Sequence, residues 1–129
     1  MLQLFCREFF PEEEDDELLL PALAVGAQAA IGSTYTFAAP LYLKVMAYFR
    51  EGKISEAQQM QLHAINMIRC LSRYSPIPTQ KTIMKLMGTN LGPCRLPLVS
   101  LSAQQEQEIG NYLEEIGFAA VLEEITSNA

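Results

Sequence analysis

The chemically capable side chains of this 129-residue sequence are few. The sole histidine, His63, lies in a run of helical spacing and has no cysteine or carboxylate pair at metal-ligand spacing beside it. It reads as a helix-surface residue. An imine-forming lysine needs a lowered pKa, hence burial or a cationic neighbour. Lys44, Lys53, Lys81 and Lys85 all fall on expected helices or at a helix end, and none sits on an apolar strand. Each therefore reads as a solvated lysine. Cys6, Cys70 and Cys94 are odd in number and lack the close spacing of a zinc or redox motif, so all three read as inert thiols. Asp16-Glu17 is an acidic pair at the end of a six-acid run, Glu12 to Glu17, and such runs are usually solvated. Ser33 stands in a Gly32-Ser33-Thr34 turn after the apolar stretch Ala27–Ile31. Its plain role is to cap that turn. Its functional role, if Ala27–Ile31 is a strand, is a hydroxyl at the strand's C-terminal end, where α/β folds place ligands. The sequence holds no phosphate-cradling glycine loop and no Gly-x-Ser-x-Gly elbow. No catalytic, cofactor-binding or metal-binding residue is assigned from these patterns.

The elements that must position Asp16, Glu17 and Ser33 follow from periodicity. Leu18, Leu19, Leu20, Leu23 and Val25 predict a short, deeply buried helix with acids at its start and Gly26 to end it. Pro21 falls in its first turns, where a missing N–H costs least. Ala27–Ile31 is expected as a strand buried on both faces, pairing with Leu2–Phe5 or with strands not in the sequence. A helix is expected over Pro40–Arg50, closed by Gly52. A second opens at Ser55 with Gln58 as a capping-box partner and carries the stripe Ala57, Met60, Ala64, Met67, Ile68 and Leu71. Ser75-Pro76-Ile77-Pro78 is expected to stop it. A shorter helix covers Thr79 to Met87. The last clear one opens at Ser102, with Gln105 as a reciprocal cap and Ile109, Tyr112, Leu113 and Ile116 on one face. Gly117 ends it, and Ala119–Ile125 adds one or two turns.

Half of the sequence is hydrophobic and 19% is charged, enough to bury a core. A self-contained eight-strand (β/α) barrel needs roughly 200 residues, so the length excludes one. The net charge of −6 argues against nucleic acid as the main partner. Charge falls in three blocks: seven acids and one base over 1–17, two acids and eight bases over 18–105, six acids and no base over 106–129. The odd cysteine count favours a reducing compartment, and a cytoplasmic location is expected. The uncharged stretch Leu18–Leu43 has bilayer-spanning length, but Pro21, Gly26, Gly32 and Pro40 break it, so no membrane span is expected. Arg7 and Glu8 inside the apolar start argue against a signal peptide.

Three stretches in order resemble one family. They are Asp16-Glu17 followed by Gly26-Ala27 and Ile31-Gly32-Ser33-Thr34-Tyr35; Pro78-Thr79-Gln80-Lys81-Thr82-Ile83-Met84-Lys85-Leu86-Met87-Gly88; and Gly92-Pro93-Cys94-Arg95-Leu96-Pro97-Leu98. Over about residues 16–118 the sequence is similar to N-acetylneuraminate lyases, which belong with dihydrodipicolinate synthases among the pyruvate-dependent class I aldolases. The resemblance implies a mainly α chain, the C-terminal piece of a (β/α)₈ barrel with an appended helical bundle. It divides the chain into an acidic lead over 1–15, a barrel end over 16–51 and a bundle over 52–129. It also implies a homo-oligomer, a tetramer in the family, or docking on the missing barrel half. The family's Schiff-base lysine, proton-shuttle tyrosine and Gly-Thr-Thr turn lie upstream of what this sequence matches, so the chain is expected to be inactive alone. Pyruvate and a sugar acid are the small-molecule substrates of the full-length family. Asp16, Glu17 and Ser33 match positions that hold the sugar's polar tail, while Glu14 stands where the family has glycine. The alternative is a non-catalytic helical binding or assembly module.

Overall fold

The computed structural model describes residues 15–127. A single 3-10 turn, Asp15–Leu18, leads into α1, Leu19–Ala24. Gly26, at φ 97°, takes a left-handed conformation that other residues avoid, and the chain leaves the helix there. After an extended segment come α2 (Tyr35–Arg50), α3 (Ile54–Leu71), α4 (Pro76–Leu86), α5 (Ala103–Glu115) and α6 (Phe118–Ser127).

The apolar stripes decide the packing. The turn 51–53 folds α3 back along α2, the most extensive helix pair among the described residues. Leu41 and Val45 of α2 join Ala64, Met67, Ile68 and Leu71 of α3 in one buried cluster with Ile83, Ile109, Leu113 and Phe118. Each fully buried large aliphatic side chain contributes about 1.5–3 kcal/mol relative to exposure. Phe37 meets Phe118 edge to face at 6.5 Å, which ties α6 to the start of α2. Ser102 and Gln105 form the expected reciprocal cap of α5. One salt bridge joins the basic middle block to the acidic last block: Lys85 to Glu106 at 2.6 Å.

Five expectations are corrected. Ala27–Ile31 is not a strand: no strand exists among the described residues, and Gln28 to Ile31 are exposed, Ile31 at 85%. A strand needs a ladder partner for its backbone groups, and the described chain offers none. The expected partner, Leu2–Phe5, lies outside the described residues. The second correction is that α2 opens at Tyr35, not Pro40. The Thr34 carbonyl accepts from the N–H groups of Phe37 (3.2 Å) and Ala38 (3.0 Å), closing a helical turn ahead of the proline. Pro40 instead marks a kink: Ala38 leaves helical geometry (φ −117°, ψ 18°).

The third concerns α3. It opens at Ile54, and Ser55 caps nothing, because the first helical bond runs from the Ala57 N–H to the Lys53 carbonyl at 3.0 Å. In the fourth, Pro76 and Pro78 start α4 rather than stopping α3. They occupy its first turn, where N–H groups have no helical partner, and the first bond is made by the Thr79 N–H to the Ser75 carbonyl at 3.2 Å. Lastly, α1 is buried on one face only: Leu19 and Leu23 are covered, and Val25 is 60% exposed.

Candidate functional site

The 3-10 turn is bonded to the turn before α2 through Asp16 and Thr34. Asp16 and Glu17 sit on the first, Ser33 on the second. Asp16 points inward and is 5% exposed. Its carboxylate accepts the Thr34 backbone N–H at 3.2 Å and a very short bond from the Thr34 hydroxyl. The Thr34 hydroxyl oxygen lies 2.6 Å from the Tyr42 hydroxyl. Thr34 has one hydroxyl proton, which goes to Asp16, so Tyr42 is the donor in that contact. Tyr42 is itself buried and stacks on Tyr35, ring centroids 4.0 Å apart and 15° from parallel.

Gly32 makes this approach possible. A Cβ on Gly32 would stand 1.5 Å from Asp16 Oδ1 and 2.4 Å from its Cγ, so only glycine leaves the carboxylate its place. Burial raises the Tyr42 hydroxyl well above the ordinary tyrosine value. The charge of Asp16 adds to the rise.

Gln61 of α3 holds the same turn from the other side. Its Nε2 donates to the Glu17 carbonyl at 3.0 Å and to the Asp16 carbonyl at 3.4 Å. Its Oε1 accepts the Leu20 N–H at 3.0 Å. The Leu20 N–H is one of the donors that a helix start leaves without a partner. Glu17 is half-buried at the rim of an apolar groove of about 640 Å³ that includes Leu18, Leu20, Pro21, Phe49 and Leu62. Ser33 is exposed, and its Oγ accepts from Gln80 Nε2 of α4 at 2.7 Å. Asp16 and Ser33 thus lie on two turns joined through Thr34, Asp16 buried and Ser33 exposed.

Sequence reasoning passed over Thr34, Tyr42, Gln61 and Gln80. One signal was present: Gln61 stands four residues after Ala57, a polar side chain on the apolar stripe of α3. Nothing in periodicity marks Tyr42 as the partner of Thr34. Elsewhere, Cys70 is buried and free, and burial pushes its thiol up to about 11. Cys94 is free and half-buried. Among the described residues no group of three or more His, Cys, Asp or Glu could hold a metal ion, and no helix is long and apolar enough to cross a membrane.

A short helix, an extended segment, a Gly-Ser-Thr turn and a run of packed helices together have the shape of part of a TIM-barrel aldolase. The chain superimposes on Aliivibrio salmonicida N-acetylneuraminate lyase with a TM-score of 0.75 at 36% identity, covering 80% of this chain and 34% of that one. The chain belongs to the dihydrodipicolinate synthetase family, whose sequence pattern it matches over residues 10–116. It is 32% identical over 98 residues to N-acetylneuraminate lyase of Actinobacillus pleuropneumoniae serotype 5b, 76% of this chain and 34% of that protein. It is 34% identical over 116 residues to 4-hydroxy-tetrahydrodipicolinate synthase of Synechococcus elongatus, 89% of this chain and 38% of that protein. The chain therefore spans about a third of the length of the curated relatives it matches.

Proposed function

We propose that this chain forms the C-terminal part of an N-acetylneuraminate-lyase-type, pyruvate-dependent aldolase and cleaves no sugar acid by itself. The extended segment and α2 would correspond to the last barrel strand and helix, and α3 to α6 to the appended bundle. The carrying observation is the condition of the lysines. None is buried, Lys53 and Lys85 being exposed and Lys44 and Lys81 half-buried, and each has an existing contact: Lys44 is 5.0 Å from the centre of the Tyr48 ring, Lys53 pairs with Glu51 at 2.7 Å, Lys81 donates to the Pro93 carbonyl at 2.7 Å, and Lys85 pairs with Glu106 at 2.6 Å. An amine that attacks pyruvate's carbonyl must be uncharged near neutral pH, which requires burial or a crowding cation. None of the four has that setting. Borohydride reduction in the presence of pyruvate, followed by peptide mass analysis, tests this directly. The expected result is no adduct; a trapped lysine at any of these positions overturns it.

On the same reading, Asp16, Glu17 and Ser33 hold the sugar acid's polar tail, with the Asp16 carboxylate also bonded to Thr34. The protein assembles as a homo-oligomer in the cytoplasm, and the groove beside Glu17 supports the assembly part. Exposed Val25, Ile31 and Leu62 add to an apolar surface that favours a covering partner. Self-association in size-exclusion chromatography is expected; a sharp monomer peak with no binding of a hydrophobic dye counts against it.

A further inference from the structure

Lys81, Thr82 and Lys85 share one face of α4, at the spacing that stacks side chains on successive turns. That face forms one wall of a pocket of about 280 Å³, and the loop 90–101 with Glu106 of α5 forms the other. Thr82 is the unusual member. It is only 4% exposed, yet its hydroxyl makes no hydrogen bond among the described residues. No fully buried side-chain oxygen or nitrogen there lacks a partner, so the Thr82 hydroxyl opens on the pocket.

The other lining groups also hold unspent donors. An ammonium has three protons. Lys81 gives one to the Pro93 carbonyl at 2.7 Å and Lys85 gives one to Glu106 at 2.6 Å, which leaves two on each. Ser100 Oγ accepts the Cys94 N–H at 2.9 Å and keeps its own proton. Glu106 is the only acid among the lining residues and offsets one of the two ammonium charges. The wall is left donor-rich with one net positive charge, on a chain whose net charge is −6. The field of the whole chain repels anions, so an anion held here is held by these local groups.

We propose that this pocket binds a small oxyanion, a phosphate or carboxylate group, with Lys81 and Lys85 supplying the charge and the Thr82 hydroxyl the hydrogen bond that orients it. Lysine serves such groups as a point charge, and the hydroxyl adds direction. The volume is at the small end for ligand pockets, which limits the ligand to the group itself or a short carrier. Cys94, free and half-buried on the same wall, supplies the reporter.

The full chain is alkylated with neutral iodoacetamide in inorganic phosphate, in succinate and in chloride at equal ionic strength, and the Cys94 peptide is followed by mass analysis. Phosphate, succinate or both should slow the reaction saturably relative to chloride, and the anion that protects identifies the group. Thr82→Val keeps the shape and removes the hydroxyl. It should weaken the protecting anion about tenfold, because a hydrogen bond to a charged group is worth at least about that factor. Thr82→Ser should restore protection. A hydroxyl with only a structural role would alter melting and leave the protection constant unmoved. Lys85→Met should weaken protection, whereas Glu106→Gln removes the offsetting carboxylate and should tighten it about fivefold, the Coulomb effect of one charge about 4 Å away in water. Equal alkylation in all three salts overturns the proposal, as does unchanged protection in folded Thr82→Val and Lys85→Met. Should Thr82→Val lose its helical signal, Lys85→Met and Glu106→Gln decide: opposite shifts support the site, and equal shifts overturn it.

Discussion

Residues 15–50 and residues 54–127 are neighbours in one core, yet they are fastened differently. The first stretch depends on buried polar groups: Asp16 on Thr34, Tyr42 on Thr34, and Gln61 reaching from α3 to the backbone at Asp16, Glu17 and Leu20. The second depends on apolar stripes, with caps and ion pairs at its surface. Apolar burial is non-directional and tolerates modest change of shape. A buried hydrogen-bond network is directional, and a half-satisfied one is costly. Small substitutions around Asp16 should therefore be felt more than their size suggests, whereas losses in residues 54–127 should scale with the volume removed.

The largest effect should come from adding one methyl group. Gly32→Ala drives a Cβ into the Asp16 carboxylate and breaks both of its bonds to Thr34. A loss of about 4 kcal/mol is expected in urea denaturation, at the upper end for a single substitution. A loss below that of the next variant would erase the contrast between the regions. Leu71→Ala removes a fully buried side chain of α3 from the core and should cost about 3 kcal/mol by the same measurement.

Gln61→Met keeps the length of the side chain and removes its polar end. It leaves the Leu20 N–H and the Glu17 carbonyl without their partner, so about 2 kcal/mol is expected, with denaturation compared at equal slope. The smallest effect belongs to the surface of the second stretch. Ser102→Ala deletes the α5 cap, whose hydroxyl accepts the Gln105 N–H at 3.3 Å, and should cost about 1 kcal/mol in thermal melting.

Thiol chemistry sharpens the picture of the core. Cys70, with its thiol raised to about 11 by burial, should resist alkylation at pH 8, whereas half-buried Cys94 should react. The sign for stability follows. A thiol at its ordinary value of 9.0 ionises in the unfolded chain before Cys70 does in the folded one. Stability is therefore intact below about pH 9 and declines as pH rises toward about 11.

Much of residues 54–127 could be read from sequence, because local rules suffice there. The stripe through Ala57, Ala64, Met67, Ile68 and Leu71, the Ser102–Gln105 box and the breaks at Gly26 and Gly117 need only the 3.6-residue period and backbone sterics. Local rules misled where two were in competition. Pro76 and Pro78 can stop one helix or start the next, and the Ser75 carbonyl decided for the start. The alanines of 27–31 can be strand or helix; with no ladder partner in the described chain they are neither.

Family membership and the candidates Asp16, Glu17 and Ser33 came from sequence alone, since they are carried by residue types in order along the chain. Which way each candidate faces came only with the tertiary structure. Asp16 and Thr34 are 18 residues apart, and Gln80 and Ser33 are 47 apart. No spacing rule links such pairs. The helices are brought together by apolar burial, which acts without regard to direction. Only once they are packed does a hydroxyl, a carboxylate or a missing Cβ fall within reach of its partner, and the short range of hydrogen bonds and steric contact then fixes what turns inward and what is left for a ligand.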